Sequence, residues 1–203
     1  MGKGFAEIAF TPAVQAEQSA HGSRRGYAAV AEHPAPDDRL TGDEMAFVAE
    51  RDSFYLATVN EAGWPYIQHR GGPPGFLKVL DPRTLGFADL RGNKQYISVG
   101  NVDGDDRVCL FLMDYVHRER LKIFGHARLT EDPASLARLA VEGYPGVIER
   151  GWIIEIAGFD WNCPQHITPR FSEAEVRDVL ASRDARILEL EAEVAALRAA
   201  TTG

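Results

Sequence analysis

Two short clusters carry the polar chemistry of this chain. The first is Gln68-His69-Arg70-Gly71, which closes a β-rich run and leads into Gly72-Pro73-Pro74-Gly75; the second is Arg91-Gly92-Asn93-Lys94-Gln95, where the apolar period changes. A guanidinium, an ammonium, an amide and free backbone N–H groups together suit an anion, phosphate above all. The hydrophobic spacing predicts a helix from Gly92, with Tyr96, Ile97, Val99 and Gly100 following helical spacing. Arg91, Asn93, Lys94 and Gln95 then crowd its start, where cations oppose the macrodipole. A bound anion resolves that conflict; a solvated surface on a short helix is the alternative. Imidazole titrates near neutrality, which makes His69 and His166 candidates for proton transfer, against the plainer role of a hydrogen-bonded or packed histidine. No GxSxG, HExxH or P-loop pattern is present, and Gly71 to Gly75 is not GxGxxG. Cys109, inside VCLFLM, and Cys163, in a Trp-Asn-Cys-Pro corner, lack zinc or disulfide spacing. Asp103-Gly104-Asp105-Asp106 lacks the spaced ligands of a calcium loop and reads as a solvated turn.

The elements that must position these residues are mostly strands. Segments 54–60 and 64–70 form an antiparallel hairpin across Glu61-Ala62-Gly63, and strands follow at 76–80 and 84–89 on either side of Asp81-Pro82-Arg83. A fifth strand over 107–115 is apolar on both faces. The polar connection 117–120 leads to a sixth over 121–130, in which Leu121, Ile123, Gly125, Ala127 and Leu129 share one face. Glu131-Asp132-Pro133 opens a helix to about Glu142, Gly143-Tyr144-Pro145-Gly146 stops it, and 147–159 holds the last long strand. The loop FDWNCPQHITPRF mixes groups that more often bind than pack.

Helices flank this β region. Thr41 and Glu44 form a capping box for a helix over 42–51. The first forty residues carry little period: Pro12 opens a helix through Gln18, His21 to Gly26 breaks it, and the segment reads as an extension over the domain or its partner. His33 to Asp38 is a linker. From Ser172, with Glu175 as a second capping box, a helix of about 27 residues carries Val176, Leu180, Ile187, Leu190, Val194 and Leu197 at heptad-like spacing interrupted by Arg183. It lies against a partner subunit, extends as a small helical pair, or folds back on its own domain.

With 203 residues and 45% hydrophobic content the chain makes one core domain with appendages. A net charge of −8 argues against nucleic acid or an anionic membrane as partner and for a small molecule. No run approaches the roughly 18 apolar residues of a membrane span, and MGKGFAEIAF lacks a signal-peptide core, so the expected location is cytoplasmic.

The order of strand, turn, PYIQHR, glycine-rich corner, strand, FADLRGNKQ and helix, and later RVCLFLMDYVHRERLKIFGHARL, resembles the FMN-binding split β-barrel of the pyridoxamine 5′-phosphate oxidase-related family. The resemblance covers about residues 40–170 and is closest to a bacterial branch in which QHRGGPPGFLKVLD and GFADLRGNKQYISVGN recur. It implies a mainly β fold with flanking helices, a six- to seven-stranded antiparallel split barrel with a long C-terminal helix. The segments are then an N-terminal extension (1–39), the barrel (40–171) and an amphipathic helix (172–203). It also implies a homodimer with FMN sites at the subunit interface, each drawing residues from both chains.

Carried over by position, Gln68, His69, Arg70 and Gly71 run beside the isoalloxazine and ribityl chain. Gly71 and Gly72 let the backbone approach the ring. Lys94 keeps the charge of the family's Ser-Arg-Lys phosphate cluster, Gly92 and Asn93 replace its other members, and Arg91 and Gln95 stand beside it. Arg120 matches a flavin-contacting position that is glutamine in the oxidase proper, and Trp161, Gln165 and Arg170 stand near its C-terminal flavin- and substrate-facing residues. The surrounding motif differs, so pyridoxamine phosphate is not implied as substrate. The expectation is an FMN-dependent oxidoreductase exchanging hydride at flavin N5 with a small molecule, with oxygen, NADH or NADPH as second partner. A deazaflavin F420 reductase, or a non-catalytic flavin or haem module with His69, His117, His126 or His166 as axial ligand, are the other readings.

Overall fold

In the computed structural model the described residues are 3–32, 38–161 and 163–201. Residues 33–37 of the expected linker and Asn162 of the Trp-Asn-Cys-Pro corner lie outside them. The chain forms two compact units, Met1–Asp114 with Glu119–Gln165, and Tyr115–Arg118 with His166–Gly203.

The first unit is a single seven-stranded antiparallel sheet, the expected split barrel. Strands β1 (Ser53–Val59) and β2 (Pro65–Gly71) pair with Tyr55 opposite His69. Asn60 Oδ1 accepts from the N–H groups of Ala62 and Trp64, and Gly63 supplies φ 81°, so the turn chemistry fixes the register. The chain continues through β3 (Lys78–Asp81), β4 (Thr84–Leu90), β5 (Arg107–Asp114), β6 (Glu119–Thr130) and β7 (Ile148–Trp161), giving the order β2-β1-β5-β6-β7-β4-β3. The two edge strands, β2 and β3, are consecutive in the chain and joined by the glycine-proline corner.

Alternation decides which side is core. Leu121, Ile123 and Ala127 of β6 are buried, as are Val108, Leu110 and Leu112 of β5, and they pack with Phe54, Leu56, Phe87, Trp152 and Ile154. Each such side chain contributes about 1.5–3 kcal/mol of burial. The opposite face of β1 and β5 presents Tyr55, Cys109, Phe111 and Met113, which are only partly covered.

Helix α4 (Gly42–Ala49) starts where Glu44 reaches back to accept from the N–H and Oγ of Thr41 at 2.9 and 2.5 Å. Burial alone would raise the Glu44 pKa, but hydrogen bonds from Thr41 and Trp161 outweigh it and hold the carboxyl below its ordinary value.

Two sequence expectations are overturned. The region before the linker holds the expected helix from Pro12, α2 (Pro12–Ala20), but also α1 (Lys3–Ala9) and α3 (Arg24–Glu32), the last beginning inside the expected break. Phe5 of α1 is buried and stacks on Phe124 at 5.0 Å, a contact with β6 that no local period reveals. The second correction concerns the helix expected from Gly92. It starts five residues later, as α5 (Ile97–Gly104), so Arg91, Asn93, Lys94 and Gln95 form a loop rather than a first turn. Asn93 Oδ1 accepts from Gln95 N–H at 3.2 Å, a local bond that competes with helix, and Lys94 (φ 60°) and Tyr96 (φ 52°) are left-handed. Helix α6 (Pro133–Leu139), N-capped by Asp132, completes this unit. The second unit carries α7 (Glu173–Thr201), capped by the expected Ser172 and Glu175 pair.

Candidate functional site

Two adjoining cavities meet at Arg70 and Leu90. One, of about 200 Å³, is walled by Phe76, Phe87, Leu90, Val141, Tyr144 and Ile148, with His69, Arg70 and the Gly71–Pro73 corner. The other, of about 50 Å³, is lined by Gln68, Asp89, Asn93, Lys94, Ser98 and Glu149.

Strand period builds both. On β2, Gln68 and Arg70 face inward, while β4 places Phe87 and Asp89 on its core side. Arg70 Nη1 donates to Asp89 Oδ1 at 2.8 Å, and the guanidinium lies 5.6 and 5.5 Å from the ring centres of Phe87 and Trp152. Arg70 Nε is buried without a hydrogen-bond partner. Gln68 Oε1 accepts from Ser98 Oγ at 2.9 Å, tying β2 to α5.

The corner is held by its small residues. A Cβ on Gly72 would come within 2.7 Å of Phe76, so the backbone there can fold onto that ring only as glycine. His69 rests its ring edge against Tyr55 at 5.7 Å and lines the apolar cavity.

Around the polar cavity positive charge is in surplus. Arg91 Nε donates to Glu149 Oε1 at 3.1 Å, Tyr96 OH donates to Glu149 Oε2 at 3.2 Å, and Arg150 lies 3.8 Å from Asp89 and 3.7 Å from Glu149. The Arg91 hydrogen bond, with Tyr96 and Arg150 adding to it, holds the Glu149 carboxyl below the usual range. Arg70, Arg91, Lys94 and Arg150 thus stand against the two carboxylates of Asp89 and Glu149. Among the described residues Lys94 has no ion pair, and Tyr96 leaves the start of α5 without a side-chain cap. Unsatisfied N–H groups beside a surplus cation suit an anionic group.

The structure brings Gln68, His69, Arg70, Gly71, Asn93 and Lys94 to these cavities, with Arg91 one bond behind. Gln95 is exposed in the same loop. Arg120, opposite Met113, is half-buried with Nε unpartnered, and lines neither cavity. Trp161 donates Nε1–H to Glu44 Oε1 at 2.7 Å and meets Phe47 edge-on, so in this chain it locks β7 to α4. Gln165 is exposed. His166 (φ 63°) and Arg170 belong to the second unit, where Arg170 lies 4.7 Å over Tyr115. Of the other histidines, His126 Nδ1 is 2.9 Å from Asp106 Oδ1. Burial pushes the Cys109 thiol up, against a smaller opposite effect of Lys122.

Sequence reasoning missed Asp89, Ser98, Glu149 and Arg150. The available signal was Asp89, a carboxylate on the core side of an apolar strand, which demands a buried cation. The apolar wall from Val141, Tyr144 and Ile148 comes from a distant loop and leaves no local mark.

Similar folds recur among solved structures. HupZ of Group A Streptococcus aligns with a TM-score of 0.50 at 16% identity, over 65% of this chain and 100% of that one. A Clostridium acetobutylicum protein related to general stress protein 26 of B. subtilis, of the pyridoxinephosphate oxidase family, aligns at 0.47 and 15% identity over 66% and 94%. An FMN-binding protein from Syntrophomonas wolfei aligns at 0.47 and 9% identity over 71% and 97%. No curated protein matches the chain. The sequence profile described as pyridoxamine 5′-phosphate oxidase matches residues 40–153, more than half of the chain and the span that builds both cavities. By that match the chain belongs to the pyridoxamine 5′-phosphate oxidase family.

Proposed function

We propose that the paired cavities hold FMN, and that the protein is an oxidoreductase acting on an uncharged or weakly charged small molecule. The observation that carries this reading is the junction at Arg70 and Leu90: a positively charged pocket beside an uncapped helix start opens directly onto an apolar slot. In this reading Lys94, Asn93 and the first N–H groups of α5 hold the phosphate, Gln68 and Arg70 flank the ribityl chain, and the glycine corner lets the ring lie against the backbone. Bound there, FMN supplies hydride exchange at its N5, with NADH, NADPH or oxygen as second partner. His69, on the wall of the apolar slot, is assigned proton transfer to the substrate. The cavities of about 200 and 50 Å³ fall short of the roughly 300–1,000 Å³ of typical ligand sites, so a second copy completes each one in a cytoplasmic homodimer.

The test is an absorption spectrum of the purified protein, with mass identification of what acid releases. FMN near one per chain supports the reading. Lys94→Ala should weaken FMN binding about 10- to 100-fold, the effect of losing a hydrogen bond to a charged group. A Soret band, or release of F420, would replace FMN as the assignment, and a colourless protein that ignores all three would end it. Reduction of bound FMN by NADH or NADPH and reoxidation by a substrate separates an enzyme from a binding module.

A further inference from the structure

Helix α7 spans 29 residues, is exposed from Glu173 through Ala200, and contains neither glycine nor proline. Six of its eight large apolar residues share one stripe, while Val179 and Leu188 lie off it. Val176, Leu180, Ile187, Leu190, Val194 and Leu197, between 42% and 68% exposed, fall at alternating intervals of four and three once Arg183 is included. That is a heptad seam, with Leu180, Ile187 and Val194 at a and Val176, Arg183, Leu190 and Leu197 at d.

We propose that α7 pairs with α7 of a second copy of this chain as a parallel, in-register, two-stranded coiled coil. Two observations select that occupant and orientation. The last two heptads read Ile187, Leu190, Val194, Leu197, β-branched at a and leucine at d, the combination that favours two parallel strands.

Charge is the second. The g positions hold Arg186 and Glu193, and the e positions that follow them hold Glu191 and Arg198. A parallel in-register pair sets each g against the e of the partner's next heptad, so Arg186 meets the partner's Glu191 and Glu193 meets the partner's Arg198, opposite signs both times. An antiparallel pair sets e against e and g against g. The antiparallel registers that bury most of the seam each mix attractive with like-charge pairs, the latter being Asp184 with Glu191, Glu191 with itself, or Asp184 with itself, whereas the flanks of the parallel pair oppose none.

Arg183 is the one charged residue within the seam. In register this residue faces its own copy, a repulsive d layer near the start of the seam, and the two apolar heptads from Ile187 to Leu197 must outweigh it. Arg186 now bonds Glu189 at 2.8 Å in the same helix, an exposed contact that can be exchanged for the interhelical one.

This pairing does not depend on what the barrel binds. The f positions Ala185, Ala192 and Ala199 point away from the seam and take a cysteine without disturbing it. In the full chain, with Cys109→Ser and Cys163→Ser, nitroxide labels at Ala185→Cys, Ala192→Cys and Ala199→Cys are measured one at a time by double electron–electron resonance. The expected result is one and the same short inter-copy distance at all three sites, lost in Arg186→Glu and regained in Arg186→Glu/Glu191→Arg. Distances that change along the helix would mean an antiparallel pair, and absence of a common short distance would mean no pairing; either overturns the proposal. A dimer that keeps its FMN yet gives no such distance removes this inference and leaves the flavin reading standing.

Discussion

Arg70 is the residue on which both cavities turn, and its worth is set by Asp89. Their side chains are 16% and 9% exposed, so the pair is shielded from water and each partner depends on the other. Asp89→Ala should therefore destabilise the fold by about 3–5 kcal/mol in denaturant unfolding, since it strands a guanidinium against the stacked rings of Phe87 and Trp152. Glu44 makes a second test. Its folded pKa lies below the ordinary 4.5, so its hydrogen bonds to Thr41 and Trp161 contribute stability that is fully present above about pH 4.5 and is lost as pH falls through the lower folded value. Glu44→Gln should flatten the stability profile below pH 4.5 and lower stability at pH 7, read from urea midpoints across that range. At this scale the polar side chains that touch the cavities from nearby β2 and the α5 loop were readable in the sequence. Their buried counter-charges were not, because pairing across the sheet has no sequence spacing.

Elements were legible in proportion to their period. β5 announces itself as a continuous apolar run, β6 through clear alternation, and α7 through its heptads. The helix start at Ile97 stayed hidden because two non-glycine residues, Lys94 and Tyr96, occupy left-handed backbone that the sequence gives no reason to expect. The three helices before the linker are seven to nine residues long, too short for a helical period to repeat clearly. Where β6 pairs with β7 the register shifts between Phe124 and Gly125, and a Cβ at Gly125 would meet Glu155 O at 2.6 Å and Ile154 Cγ2 at 2.8 Å. Gly125→Ala should then cost about 1–3 kcal/mol, the usual range for overpacking, as a lowered melting temperature. In α7 the same logic runs the other way: Arg183→Leu should tighten the proposed pairing, seen as dimer persisting to lower concentration in sedimentation equilibrium.

At the scale of the whole molecule, the sheet has one face committed to the core and another that presents Tyr55, Ile67 and Phe111 side by side through the registers Tyr55 opposite Phe111 and Ala57 opposite Ile67. If that face meets the second copy, Ile67→Asp should lose FMN, because the cofactor site would be left half-walled, and Ile67→Asp combined with Arg186→Glu should yield a monomer by light scattering. The barrel could be read from the chain alone, since alternation encodes an inside and an outside.

The packing of α1 also orders events in time. Phe5 lies on Phe124, and a Cβ at Gly158 would fall on the backbone of Phe5, so the earliest helix has its seat on the last two strands to be made. While the ribosome is still synthesising β7, that helix has nowhere to settle, and its docking reports a finished barrel. Protease sites near residues 3–9 should stay open in nascent chains released before β7 and close once it has formed.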